Sequence, residues 1–193
     1  KRSLNYSFET PKRYLVQSNV KPNLKSLCDL NNLYYKKVNS FSNTDLINDL
    51  ISLKIDIGAF CGGGLLRNKF LDTFSFGVLN CHMGILPKYR GMDVVEWPFL
   101  EDDNRQVGVT CHLMDEGIDT GDILEIVKVN SDKFQDFIEL REYLSGVMFK
   151  LMVKTITNVK QGSFKRQKQL KSDGKQYFVM HSILKKITNH KYK

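Results

Sequence analysis

IDIGAFCGGGLLRNKFLDTFSFGVLNCH, residues 55–82, decides the fold. It holds two short apolar runs, 55–60 and 77–82, separated by Gly62, Gly63 and Gly64 and by a helix-like LLRNKFLDTF. Short apolar runs bounded by turn residues read as strands of a buried sheet. Strands alternating with helical stretches make an α/β sheet, and the first part of this one should be parallel.

The same pattern extends both ways. Upstream, SNTDLINDLISLK offers Ser42 or Asn43 as an N-cap before Leu46, Ile47, Leu50, Ile51 and Leu53, an amphipathic helix. Leu24, Leu27 and Leu30 mark a short helix over 24–31, and LYYKKV (33–38) reads as a strand. Residues 1–22 contain Pro11 and Pro22, show no clear period and read as an irregular start. Downstream, ILPKYRG (85–91) reads as a turn and MDVVEWPFL (92–100) as a short helix interrupted near Pro98. VGVTCHLM (107–114) and DILEIVKV (122–129) read as strands joined by the loop DEGIDTG. Phe137, Leu140, Leu144, Val147, Met148, Leu151, Met152, Ile156 and Val159 trace one long helix over 134–159. GKQYFVMHSILKK (174–186) alternates briefly and then reads as a small helix, a closing element. The expected organisation is an irregular start (1–22), one α/β domain (23–159) and a short basic C-terminal appendage (160–193).

Composition excludes several classes. No stretch approaches the roughly 20 apolar residues of a bilayer span, and the basic start KRSLNYSFETPKR has no apolar signal core behind it. The expected setting is therefore cytoplasmic, without a membrane partner. Cys28, Cys61, Cys81 and Cys111 form no CxxC pair and are read as buried free thiols. Cys81-His82 and Cys111-His112 repeat a pairing that suggests metal. On a strand, however, neighbouring side chains point to opposite faces, so no metal is expected. The net charge of +8 is concentrated: residues 160–193 hold ten of the 29 basic residues and one of the 21 acids, leaving the remainder at −1. A lysine-rich stretch is more often a solvated face than a phosphate-binding one, so a nucleic-acid partner is not favoured.

In an α/β sheet, ligands bind beyond the carboxyl ends of the strands, which points to the loops 60–66 and 82–91 and the turn after Met114. Asn80 and His82 lie on one face of their strand. Asp119, in the Gly-flanked loop, can approach His82, raise its pKa and fix its tautomer. A polarising Asn, a charged or donating His and an Asp that orients it suit acyl transfer with a developing oxyanion. Taken alone, Asn-x-His is more often a structural pair, and DEGIDTGD could be an acidic turn or a cation loop.

Residues 79–124, LNCHMGILPKYRGMDVVEWPFLEDDNRQVGVTCHLMDEGIDTGDIL, resemble the core of the folate-dependent formyltransferases. The shared pattern is Asn-x-His-x-x-x-Leu-Pro, aromatic-Arg-Gly, Gly-Val-Thr and Asp-Glu-Gly-x-Asp-x-Gly, and the resemblance runs from Ile55 to Val127. It implies a Rossmann-like fold with a mostly parallel sheet and 10-formyltetrahydrofolate as co-substrate. It also implies catalytic roles for Asn80, His82 and Asp119. The folate positions it implies are Gly63, Gly64, Leu65, Leu66, Val78, Met114, Asp115, Glu116, Gly117 and Ile118. Two features depart from the family: Met83-Gly84 stands where Pro-Ser or Ala-Ser is common, and the opening strand is not recognisable in 1–32. The members include glycinamide ribonucleotide, methionyl-tRNA and sugar-nucleotide N-formyltransferases. The Tyr89-Arg90-Gly91 turn and the length after the long helix favour the amine of an amino-sugar nucleotide as acceptor. Formyltetrahydrofolate hydrolysis stays open, as does a homodimer. A non-catalytic nucleic-acid binder is the alternative of a different class.

Overall fold

The computed structural model describes residues 23–62 and 64–192. Their strands are β1 (Ile57–Phe60), β2 (Gly77–His82), β3 (Tyr89–Gly91), β4 (Gly108–Leu113), β5 (Ile123–Lys128) and β6 (Lys175–Tyr177). Their α-helices are α1 (Leu24–Leu30), α2 (Thr44–Leu53), α3 (Asn68–Leu71), α4 (Trp97–Leu100), α5 (Phe137–Lys160) and α6 (Ser182–Lys191). The chain divides into two units, up to Lys37 and from Val38 onward.

In the first unit, α1 is capped by the Asn23 side chain, which accepts from the Lys25 N–H at 3.0 Å. The strand expected at 33–38 does not form, and Leu33 and Tyr34 are exposed. The irregular start at 1–22 lies outside the described residues.

In the second unit the main sheet has the order β1-β2-β4-β5. β1 and β2 are parallel, as the sequence pattern requires. β4 runs antiparallel to both of its neighbours, so β1, β2 and β5 share a direction and β4 opposes them. The Rossmann-like α/β layering is present, with this reversal inside it. The stretch from Met114 to Asp122 is too short for a parallel crossover, which needs a dozen or more residues, so β4 and β5 must pair antiparallel.

Alternation along β2 and β4 sorts side chains onto two faces. Leu79, Cys81, Val109, Cys111 and Leu113 belong to one buried cluster with Leu140, Leu144, Leu151 and Met152 of α5. Asn80, His82, Thr110 and His112 take the other face. Asp136 starts α5 by accepting from the N–H groups of Ile138 (2.8 Å) and Glu139 (2.9 Å). Cys81 and Cys111 stand opposite one another in the ladder and are buried, but Cys61 is exposed and Cys28 half-buried. The expectation of four buried thiols therefore fails for these two, which lie outside that core. α4 begins at Trp97 with Pro98 in its first turn rather than being interrupted by it, since proline fits the first helical turn, where no N–H partner is needed.

The C-terminal stretch belongs to the same compact unit as the sheet. Gln167 bridges to Ile123, β6 pairs in parallel with β3, and α6 packs on α4. Tyr89 and Tyr177 stack at 5.2 Å. Tyr177 donates its hydroxyl to Glu101 at 2.8 Å, and Tyr89 donates to Asp103 at 2.8 Å. Gly91 is required at this junction: its φ is +95°, and a Cβ there would lie 2.1 Å from the Tyr177 carbonyl oxygen. The ILPKYRG turn thus contains a strand whose partner is far away in sequence.

Candidate functional site

β2 and β4 are in a register that sets Asn80 opposite His112 and His82 opposite Thr110. Thr110 Oγ1 donates to the Gly84 carbonyl at 2.7 Å and accepts from the Leu86 N–H at 3.1 Å, fixing the turn that leaves β2. His82 is thereby held against that turn, with Nε2 2.8 Å from the Tyr89 carbonyl oxygen.

The loop after β4 starts beside the amino-terminal half of β2, with Met114 N–H donating to the Val78 carbonyl at 2.7 Å. Asp115 Oδ1 accepts from the Gly117 N–H (3.0 Å) and the Thr120 hydroxyl (2.7 Å), which turns the loop back over the sheet. Asp119 adopts φ 55°, a left-handed conformation uncommon outside glycine, and its Oδ2 accepts from the Gly91 N–H at 2.9 Å. Its carboxylate then stands between two imidazoles, 3.3 Å from His82 Nδ1 and 3.4 Å from His112 Nε2. His112 Nδ1 donates to the Leu113 carbonyl at 2.7 Å, and Nε2 also lies 3.2 Å from Asn80 Nδ2.

The three residues singled out in the sequence are therefore brought together, and a fourth joins them. His112 went unrecognised as a site residue because its neighbour Cys111 suggested only a metal pair. The signal was present in the alternation that puts Thr110 and His112 on one face, but the register that carries His112 to Asn80 is not written in either strand.

The charge states differ from expectation on one point. Burial lowers the His82 pKa, and this outweighs the Asp119 carboxylate and the Tyr89 carbonyl, which favour the charged ring. His82 is thus neutral near pH 7, with its proton on Nε2 toward Tyr89 and a bare Nδ1 toward Asp119. For Asp119, burial opposes ionisation, but contacts with His112 and His82 and the Gly91 N–H prevail, holding its carboxyl below the ordinary value. The site holds a carboxylate between two imidazoles, one of which, His82, turns a bare Nδ1 toward it.

The positions expected to hold folate also converge. Glu116 Oε1 accepts from the Asn68 N–H at 3.3 Å, tying the Met114–Ile118 stretch to the loop after β1. Leu66 and Val78 are buried in a cluster with Leu71 and Phe74, against which Met114 packs. Their side chains are core, so a ligand would meet backbone or neighbours instead. Gly64 (φ +111°) and Leu65 are exposed, and Asp115 is engaged within its own loop. Gly63 lies outside the described residues. Two depressions of about 420 Å³ lie along α5 and β5, and neither is lined by any candidate residue.

A family model described as formyl transferase matches residues 7–156. The chain belongs to the formyl transferase family. A methionyl-tRNA formyltransferase of Lachnospira eligens is 35% identical over 129 residues, 67% of this chain and 41% of the relative. One from Finegoldia magna is 30% identical over 152 residues, 79% of this chain and 48% of the relative. The chain thus spans less than half the length of these relatives. Among solved structures, the formyltransferase PseJ from Anoxybacillus kamchatkensis shares the fold with a TM-score of 0.61 at 23% identity. The alignment covers 80% of this chain and 81% of PseJ, whose structure is a complex with UDP-4,6-dideoxy-4-formamido-L-AltNAc and tetrahydrofolate. A 4-N formyltransferase from Francisella tularensis aligns with a TM-score of 0.60 at 24% identity, covering 88% of this chain and 72% of that one.

Proposed function

We propose that this chain transfers a formyl group from 10-formyltetrahydrofolate to a primary amine, and that the amine belongs to an amino-sugar nucleotide. The observation that carries the reaction is the Asp119 carboxylate between His82 Nδ1 and His112 Nε2, with the Asn80 amide beside it. In this reading the acceptor nitrogen attacks the formyl carbon, forming a C–N bond and a tetrahedral oxyanion. Asn80 supplies an amide N–H to that oxygen. The proton leaving the amine passes to Asp119, which can share it with the bare Nδ1 of His82. The same pair returns a proton to the folate nitrogen as its bond to the formyl carbon breaks.

The acceptor class rests on a separate observation. Three lysines of the C-terminal stretch already face acids: Lys185 with Asp93 (2.8 Å), Lys191 with Asp102 (2.8 Å) and Lys175 with Glu101 (3.9 Å). Paired lysines offer a polyanion less counterion release, which favours a small acceptor over RNA. The methionyl-tRNA formyltransferases found by sequence favour the second reading, an aminoacyl-tRNA acceptor.

The test follows tetrahydrofolate release from 10-formyltetrahydrofolate with amino-sugar nucleotides, glycinamide ribonucleotide, methionyl-tRNA or no acceptor. Release dependent on an amino-sugar nucleotide supports the proposal. Release only with tRNA transfers it to the second reading, and release without acceptor identifies hydrolysis. No release with any acceptor refutes formyl transfer.

A further inference from the structure

Asp119 is gripped twice, and both grips lead to the Arg90-Gly91 strand. Its carboxylate accepts from the Gly91 N–H, as described above. Its backbone carbonyl accepts from Gln169 Nε2 at 3.1 Å, and the same Nε2 donates to the Gly121 carbonyl at 2.6 Å. A primary amide can be turned either way, but a guanidinium carries donors alone. Arg90 Nε lies 3.2 Å from Gln169 Oε1, so that oxygen must face Arg90 and both amide hydrogens must face the loop carbonyls. Arg90 Nη2 also donates to the Leu170 carbonyl at 2.8 Å, which fastens the segment that carries Gln169. Arg90 is buried, and Gln169 half-buried, at this junction.

We propose that Gln169 is a positioning residue for Asp119. Oriented by Arg90, it fixes the carbonyls on either side of Thr120 so that the Asp119 carboxylate stands between the two imidazoles. The kinetic consequence rests on the formyl-transfer reading, whereas the geometric one does not. The C-terminal stretch is then part of the site, although it lies about 50 residues beyond Asp119 in the chain.

The experiment compares Gln169→Glu and Gln169→Leu with the full chain. The Glu variant keeps the side-chain shape and gives Arg90 a carboxylate, but turns an acceptor toward two carbonyl oxygens. The fold is supported while the loop is released. The Leu variant removes both contacts, and thermal melting reports whether each variant folds. His82 ring titration is followed by NMR on histidine-labelled protein, with His82→Gln to assign the signal. The groups facing His82 are the Asp119 carboxylate, the His112 ring and the Tyr89 carbonyl; of these, Gln169 fastens only Asp119. For folded Gln169→Glu, kcat for tetrahydrofolate release should fall about 10- to 100-fold with little change in KM for the formyl donor. The His82 titration should also move to lower pH as its counter-charge recedes. A folded Gln169→Glu protein with unchanged kcat and unchanged His82 titration would overturn the proposal. If the parent chain releases no tetrahydrofolate with any acceptor, formyl transfer fails on its own. The His82 titration then decides the positioning role: a downward shift upholds it and an unchanged titration overturns it.

Discussion

Acidification should destabilise this protein through His82 before any carboxylate is titrated. The unfolded chain binds a proton at His82 with the ordinary histidine value of 6.5, whereas burial gives the folded ring a lower pKa. Between those values the unfolded state holds more protons, so stability rises with pH and is lost as pH falls below 6.5. If the folded ring stays wholly neutral, the loss reaches about 1.4 kcal/mol at pH 5.5, the free energy of a tenfold protonation bias. In thermal terms this is roughly 3–6 °C for a chain of this size. Asp119 does not interfere in that window. Its folded pKa is below its unfolded value, so its contribution is present above about pH 4 and fades only as pH drops through the folded value. Urea unfolding at pH 8.0, 6.5 and 5.5 measures the slope. His82→Gln retains an amide donor for the Tyr89 carbonyl and removes the titration. The reasoning fails if the parent is equally stable at 8.0 and 5.5, or if the slope survives unchanged in His82→Gln.

Three other outcomes follow from the same geometry. Asp119→Asn keeps an oxygen for the Gly91 N–H but removes the charge between the imidazoles, so kcat should fall about 10²–10³-fold in steady-state tetrahydrofolate release. A variant within threefold of the parent would remove Asp119 from the chemistry. Gly84→Ala would put its Cβ 2.6 Å from His82 Nε2 and 2.9 Å from the Tyr89 carbonyl oxygen. It should break their hydrogen bond and cost about 1–3 kcal/mol in urea unfolding, with activity lost in parallel. Arg141 donates from Nε to Glu96 Oε1 (2.9 Å) and from Nη2 to Oε2 (2.5 Å), while the Glu96 side chain is only 9% exposed. Arg141→Met strands that carboxylate and should cost about 3 kcal/mol, and a loss below 1 kcal/mol would show that Glu96 is solvated after all.

The parts of this fold legible in the sequence are those specified by local periodicity. β2 and α2 appear where alternation, apolar spacing and the Asn43 cap put them, because burial on one face writes itself into consecutive residues. Several of the failures are non-local. The strand expected at 33–38 is not formed among the described residues. β3 is too short to show a period and becomes a strand only because Lys175–Tyr177 lies beside it. That Asn80, His82 and Asp119 lie near one another was foreseeable from spacing, whereas the place of His112 beside them needed the β2–β4 register and that of Gln169 the path of the C-terminal stretch. The basic stretch is largely exposed, as expected, but the acids that face three of its lysines, Asp93, Glu101 and Asp102, lie 74 to 92 residues earlier and so left no local sign.

The neutral state of His82 bears on how the proposed reaction would be favoured. A site already carrying an imidazolium would hold that charge in the ground state as well as at the barrier, and only the difference accelerates a reaction. Here both ring nitrogens face acceptors, the Tyr89 carbonyl and the Asp119 carboxylate, but burial withholds the second proton. The seat for that proton is built and left bare. In the proposed reaction Asp119 would receive the proton of the positively charged amine, and Nδ1 would share it without either side chain moving. In that reaction the oxyanion would meet a positive ring only while it exists, at no cost of reorganisation. Such an arrangement depends on distance: if the Asp119 loop drifts, the carboxylate no longer bridges the amine and Nδ1. On that reading, the hydrogen bonds from Gly91 to the Asp119 side chain and from Gln169 to its backbone would hold this distance.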